Sequence, residues 1–198
     1  MIDWKKELKS WGIMAAIFGF LYFTGLLTPI MGGVQSLLLA TGIKKPKVTL
    51  VNKEKEPFSY AGVFTDASGQ IVRLEDYEGK AVFINLWATW CPPCRAEMPH
   101  IQSLFEKVSK EENLEFLMIA LDKEFDKSLK YIDDKSFTFP VVHASHGLNS
   151  ALQSQSIPTT LVISPRGEIV FYQEGMSNFD TKEFKDFLIA IARENIED

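Results

Sequence analysis

The chain has 198 residues, a formal charge of −5, 46% hydrophobic and 24% charged residues, and two cysteines. That length accommodates one domain with an appendage. The acidic balance, with no basic stripe interleaved with aromatics, argues against a nucleic-acid surface, and there is no internal repeat or low-complexity tract.

Residues 1–10 form a short tail carrying Lys5, Lys6 and Lys9 against Asp3 and Glu7, and from Ser10 to Ile43 no residue is charged. A bilayer-spanning helix needs about 20 apolar residues, which residues 11–31 supply. A buried core helix would show a polar face, and none is visible. A cleaved signal peptide would have an apolar region of about 7–15 residues and a small-x-small site; this run is longer and lacks the site. We therefore expect an uncleaved transmembrane anchor at 11–31, then a juxtamembrane segment and linker at 32–56. Pro29 and Gly32-Gly33 should break the helix. Val34 to Ala40 either lies in the interface or extends the span. Lys5, Lys6 and Lys9 on one side balance Lys44, Lys45 and Lys47 on the other, so charge leaves the orientation open.

From residue 57 to 198 the pattern is that of one α/β domain. Phe58–Phe64 alternates as a strand, Asp66–Gly69 reads as a turn and Gln70–Arg73 returns. Leu74–Tyr77 makes a short helical turn. Ala81–Trp87 is a buried strand, and Trp90-Cys91-Pro92-Pro93-Cys94 follows it directly. Arg95-Ala-Glu97 then opens a helix whose apolar stripe, Ile101, Leu104, Phe105 and Val108, carries it to about Lys110. Proline is tolerated in a helix's first turn, so Cys91 falls at a helix N-terminus, where unpaired N–H groups favour a thiolate. In such turns the first thiol's pKa falls from about 8.5 into the range of roughly 3.5–7.5.

The pair admits three other roles. A structural disulfide closing so small a loop removes little entropy from the unfolded chain. A zinc site could recruit His143 and His146, but His-x-x-His is shorter than the usual spacing and Pro92-Pro93 stiffens the turn. Two buried thiols paired by chance is a third possibility. The dithiol reading is preferred because spacing, strand and helix agree. In it, Cys91 attacks a substrate disulfide and Cys94 resolves the mixed disulfide.

Farther on, Leu114–Leu121 reads as a second buried strand, and Asp126 as the cap of a helix with inner face Leu129 and Ile132. Phe139–Val142 reads as a short strand and Gly147–Gln153 as a helix. Leu161–Ser164, the Pro165-Arg-Gly167 turn and Glu168–Gln173 form a hairpin. Asp180-x-x-Glu183 resembles a capping box for a last helix buried through Phe184, Phe187, Leu188 and Ile191.

The string Asn85-Leu-Trp-Ala-Thr-Trp-Cys-Pro-Pro-Cys-Arg-x-Glu97-x-Pro99, with Ile157-Pro158-Thr159-Thr160 before an apolar run, resembles the TlpA/ResA-type branch of the thioredoxin superfamily. The likeness extends less strictly from about Phe58 to the C-terminus. It implies a thioredoxin-like α/β fold with an N-terminal β-hairpin extension and a central insertion, behind the transmembrane helix. It further implies a cis-proline loop at Pro158 beside the cysteines. Trp90, Pro92, Ile157 and Thr159 would meet the substrate, the Ile157 backbone pairing with an extended segment. Thioredoxin has a buried Asp where this chain has Asn85, and an amide cannot take up a proton. The candidate proton acceptors are therefore Glu97, Asp122 and Glu124, although Glu97 could equally be a solvated helix-face carboxylate. The resemblance implies an exported domain with a cytoplasmic N-terminus, in the inner membrane. Partners would be protein disulfides, as in cytochrome c maturation, and a membrane electron-transfer protein as dithiol donor. No cofactor is needed, since the dithiol carries the two electrons. The competing functions are a thiol peroxidase, for which Thr89 is one position too close to Cys91 to give T-x-x-C, and a redox-inert zinc-binding module.

Overall fold

The computed structural model describes residues 4–24, 46 and 58–194. Helix α1 runs Trp4–Phe23. It starts before the expected anchor and takes in Lys5, Lys6, Glu7 and Lys9. Its charge-free part, Ser10 to Phe23, is only about 20 Å long at 1.5 Å per residue, against a hydrocarbon core of about 30 Å. Among the described residues no helix is long and apolar enough to cross a membrane. The rest of the expected anchor and nearly all of the segment expected as juxtamembrane and linker lie outside the described residues.

The domain is built on one seven-stranded sheet. Its strands are β1 (Val63–Asp66), β2 (Ile71–Arg73), β3 (Ala81–Trp87), β4 (Leu114–Ala120), β5 (Val141–His143), β6 (Thr159–Ile163) and β7 (Ile169–Glu174). The spatial order is β2-β1-β5-β4-β3-β6-β7. β3 lies parallel to β4 and antiparallel to β6, placing Asn85 opposite Thr160 and Leu86 opposite Thr159. Among the described residues a 3-10 turn (Leu74–Tyr77) and three α-helices complete the domain: α2 (Pro92–Val108), α3 (Phe125–Asp134) and α4 (Lys182–Ala192). β3 is buried along its whole length, as a central strand that is apolar except for Asn85 should be. On one side its Phe83 stacks on Phe116 at 4.7 Å between ring centroids and meets Phe179 edge-on at 5.6 Å. This aromatic core is sealed by α2 and α4 through Leu104, Val108, Phe184 and Leu188. Val82, Ile84 and Leu86 fill the second core on the opposite face, with Phe64 and Leu74.

Several local expectations are corrected. The first strand is shorter than Phe58–Phe64, because pairing with β2 begins only at Val63; Phe58 instead donates its N–H to the carbonyl of Gly167 at 2.8 Å. The helix expected at Gly147–Gln153 is a set of turns. Gly147 there has a φ of 82°, which interrupts a helix, and Asn149 sends its Nδ2 to the carbonyls of Ser59 (2.9 Å) and Ala61 (2.6 Å). Asn149 is thus a side-chain staple between two segments without mutual strand pairing. Asn149→Ala should lower unfolding stability by about 1–2 kcal/mol in a denaturant titration, one net hydrogen bond being worth about 1 kcal/mol. Asp126 lies in the first turn of α3 but is not its cap; Glu124 is, without a side-chain bond. The cap of α4 is Thr181, accepting from Phe184 N–H, because Asp180 is engaged by Ser103 and Lys107 of α2.

Candidate active site

Ala88–Trp90 follow the C-terminal end of the central strand β3 and turn the chain into α2. Cys91 is the N-cap of α2, with Pro92 and Pro93 as its first residues, so the prolines occupy positions whose missing N–H has no helical partner anyway. Cys91 and Cys94 are joined in a disulfide. Cys91 retains slight exposure and Cys94 has none. The Cys94 N–H points at Cys91 Sγ from 3.2 Å, the contact that would stabilise a thiolate once the disulfide is reduced.

The Ile157–Pro158 peptide is cis. It brings the Ile157 carbonyl oxygen to 3.7 Å from Cys91 Sγ, so two segments distant in sequence meet at the sulfur. Thr159, buried beside Pro158, turns its hydroxyl to the Ser156 carbonyl at 2.7 Å and so braces this loop. Trp90 is 64% exposed, a large apolar surface next to the reactive pair, whereas Trp87 is fully buried against Tyr131.

Glu97 is not a solvated helix-face residue. It lies one turn after Cys94 on the same face of α2 and is completely buried. Its Oε1 accepts from Asn85 Nδ2 at 2.8 Å and its Oε2 from the Ser177 N–H at 3.1 Å. Burial dominates these two bonds and pushes its pKa up to about 8. Asn85 Nδ2 also donates to Thr160 Oγ1 at 2.9 Å, while its Oδ1 is buried without a partner. This orientation suits an ionised Glu97. A half-turn of the amide would present Oδ1 to a protonated Glu97, so Asn85 can serve both protonation states.

Residues 48–172 match the AhpC/TSA family. The chain is 31% identical over 165 residues to the thiol-disulfide oxidoreductase ResA of Oceanobacillus iheyensis, covering 83% of this chain and 85% of the relative. The chain belongs to the ResA-type thiol–disulfide oxidoreductases of the AhpC/TSA family. ResA of Halalkalibacterium halodurans is 34% identical over 129 residues, with 64% of this chain and 72% of that protein covered. In fold, the domain is similar to StoA from Bacillus subtilis, with a TM-score of 0.56 at 23% identity over 66% of this chain and 98% of that one. It is also similar to a thiol:disulfide interchange protein from Chlorobium tepidum, with a TM-score of 0.55 at 23% identity over 68% and 97%.

The remaining candidates of this ResA-type chain fall in different places. Asp122 is buried, but its carboxylate accepts from Thr89 and Ser128. Glu124 is exposed and pairs with Lys127 at 3.0 Å, an ordinary surface ion pair rather than a buried acid. His143 gives Nε2 to the Asp122 carbonyl at 2.7 Å and stacks on Phe125 at 4.9 Å, while His146 Nδ1 meets the Ser145 hydroxyl. Among the described residues no group of three or more His, Cys, Asp or Glu is placed to hold a metal ion. Sequence reasoning missed Ser177 as a partner of the buried acid and Thr160 as a partner of Asn85. The signal for Thr160 was available: Asn85 is the one polar residue in an otherwise apolar central strand, and a buried amide requires partners.

Proposed function

We propose that this protein reduces disulfides of exported proteins, with Cys91 as nucleophile, Cys94 as resolving thiol and Glu97 as proton acceptor. The observation that carries it is the meeting of Cys91, capping α2, with the carbonyl of Ile157. In the reducing direction the Cys91 thiolate attacks one substrate sulfur, and the other leaves and takes up a proton. Cys94 then gives its proton to Glu97 in its ionised form and attacks Cys91 Sγ, expelling the second substrate sulfur as a thiolate that takes up a proton in turn. The protein is left as the disulfide and two electrons have passed to the substrate. Raised by burial to about 8, Glu97 is a stronger base than an ordinary carboxylate, which favours its taking up a thiol proton. Trp90, Pro92, Ile157 and Thr159 would form the docking surface, with an extended substrate segment adding to the Ile157 backbone.

The reading extends to a place in the cell. The uncharged sequence from Ser10 to Ile43 and the exposed Trp11, Ile13, Phe18 and Phe20 of α1 support attachment to the inner membrane through the N-terminal segment. α1 alone is too short for a span, so the attachment would draw on residues beyond it. The catalytic domain would lie on the extracytoplasmic side, acting on substrates such as apocytochrome c and re-reduced by a membrane dithiol donor.

The test is reduction of insulin disulfides by the full chain, with peroxide consumption measured in parallel. Disulfide reduction without peroxide turnover is expected. Peroxide turnover alone would place the chain with the peroxidases, and inertness in both assays, with zinc bound, would make it a metal-binding module.

A further inference from the structure

We propose that Asp122 is a positioning residue, whose carboxylate clamps the segment that carries Trp90 and Cys91 to the end of β4; this rests on Cys91 being the exchanging thiol. Asp122 is 4% exposed and lies two residues past the end of β4. Its Oδ2 accepts the Thr89 N–H at 3.0 Å and the Ser128 hydroxyl at 2.8 Å, and its Oδ1 accepts the Thr89 hydroxyl at 2.6 Å. Thr89 is therefore held by backbone and side chain at once, two residues before the sulfur. The clamp is itself anchored. Leu121 N–H donates to the Trp87 carbonyl at 2.9 Å, and His143 Nε2 donates to the Asp122 carbonyl at 2.7 Å. A carbonyl only accepts, so this bond fixes the His143 proton on Nε2.

Burying a carboxylate is costly unless donors meet it, and here three do. None of the three comes from a cysteine, and the proton path through Glu97 has no use for this group. What it does control is the Ala88–Trp90 turn, which closes on the Cys91 N–H to Ala88 carbonyl bond at 3.2 Å. Release of Thr89 would let Cys91 drift from the Cys94 amide and from Ile157, and misplacing a reacting atom by about 1 Å can cost up to about a hundredfold in rate.

Charge and geometry predict opposite signs. A negative charge near a thiolate opposes its formation, so if Asp122 acted by charge, both Asp122→Ala and Asp122→Asn would speed exchange. A clamp behaves otherwise. Alanine removes all three acceptor bonds. Asparagine can keep them, with Oδ1 taking the Thr89 N–H and Ser128 hydroxyl while Nδ2 donates to the Thr89 hydroxyl oxygen.

The experiment is single-turnover reaction of the reduced full chain with a small aromatic disulfide, the rate expressed per folded molecule. Asp122→Ala should be slower by about tenfold, Asp122→Asn should recover close to the parent rate, and Thr89→Val, which keeps the backbone bond, should fall between. If the alanine variant does not fold, Thr89→Val against Asp122→Asn makes the same comparison. A residue serving stability alone would lower the melting temperature and leave the rate per folded molecule unchanged. That result overturns the proposal, as does acceleration in both Asp122 variants or an asparagine variant as slow as alanine. A parent protein inert toward the disulfide would remove the dithiol reading as well.

Discussion

Cys91→Ser is expected to reduce disulfide exchange to background, a loss of at least about a thousandfold, while Cys94→Ser should accumulate a covalent mixed disulfide with the substrate. The two sulfurs are not equivalent in this structure. Cys91 caps α2, receives the Cys94 N–H, and keeps a sliver of exposure beside the Ile157 carbonyl. Cys94 is wholly buried inside the first turn. Only the first can be reached by a protein disulfide, and only the second is placed to displace it. Non-reducing electrophoresis after mixing each variant with a disulfide substrate reads both outcomes. Equal trapping by the two single variants would contradict the asymmetry.

Glu97→Gln should change both stability and turnover. With a folded pKa of about 8 against an ordinary value of 4.5, Glu97 keeps its proton in the folded state over a window in which the unfolded chain has lost it. The folded form binds more protons there, so stability must fall as pH rises from about 5 to about 8 and then level off. A shift of this size corresponds to at most about 4–5 kcal/mol across the window. Glutamine carries no charge at any pH, so the variant should lose this slope and be more stable than the parent at pH 8. Denaturant titrations at several pH values measure it. The same substitution removes the proposed acceptor for the Cys94 proton. The resolving step should slow by about a hundredfold, seen as a longer-lived mixed disulfide with Cys91 attack unaffected. Unchanged stability slope and unchanged resolution would remove Glu97 from the mechanism.

What could be read from the sequence was local. The buried strand, the Cys-Pro-Pro-Cys turn and the α2 stripe occupy neighbouring positions, and their periodicity is set by the backbone. The hairpin around Pro165-Arg-Gly167 was equally plain, because Gly167 with a φ of 75° can take the turn conformation at no steric cost. Pro158 was legible only through the resemblance of the surrounding residues. The site's polar interior was not legible. Glu97 meets Ser177 across 80 residues, and Asp122 meets Thr89 across 33. No spacing rule reaches that far, so the sequence left Glu97 open between a site acid and a solvated helix-face carboxylate. Asp122 and Glu124 are close in sequence yet differ in burial, since Asp122 points back under the Thr89 turn and Glu124 opens α3 at the surface. The misjudged helix at Gly147–Gln153 has a similar origin: Asn149 spends its amide on carbonyls some 90 residues away.

The central claim is that Cys91 is a thiol made acidic by its place at the head of α2. It is tested most directly by the pH dependence of Cys91 alkylation in the reduced full chain, with Cys94 replaced by serine. The account predicts a midpoint clearly below the value of about 8.5 for free cysteine. A midpoint at or above that value would contradict it.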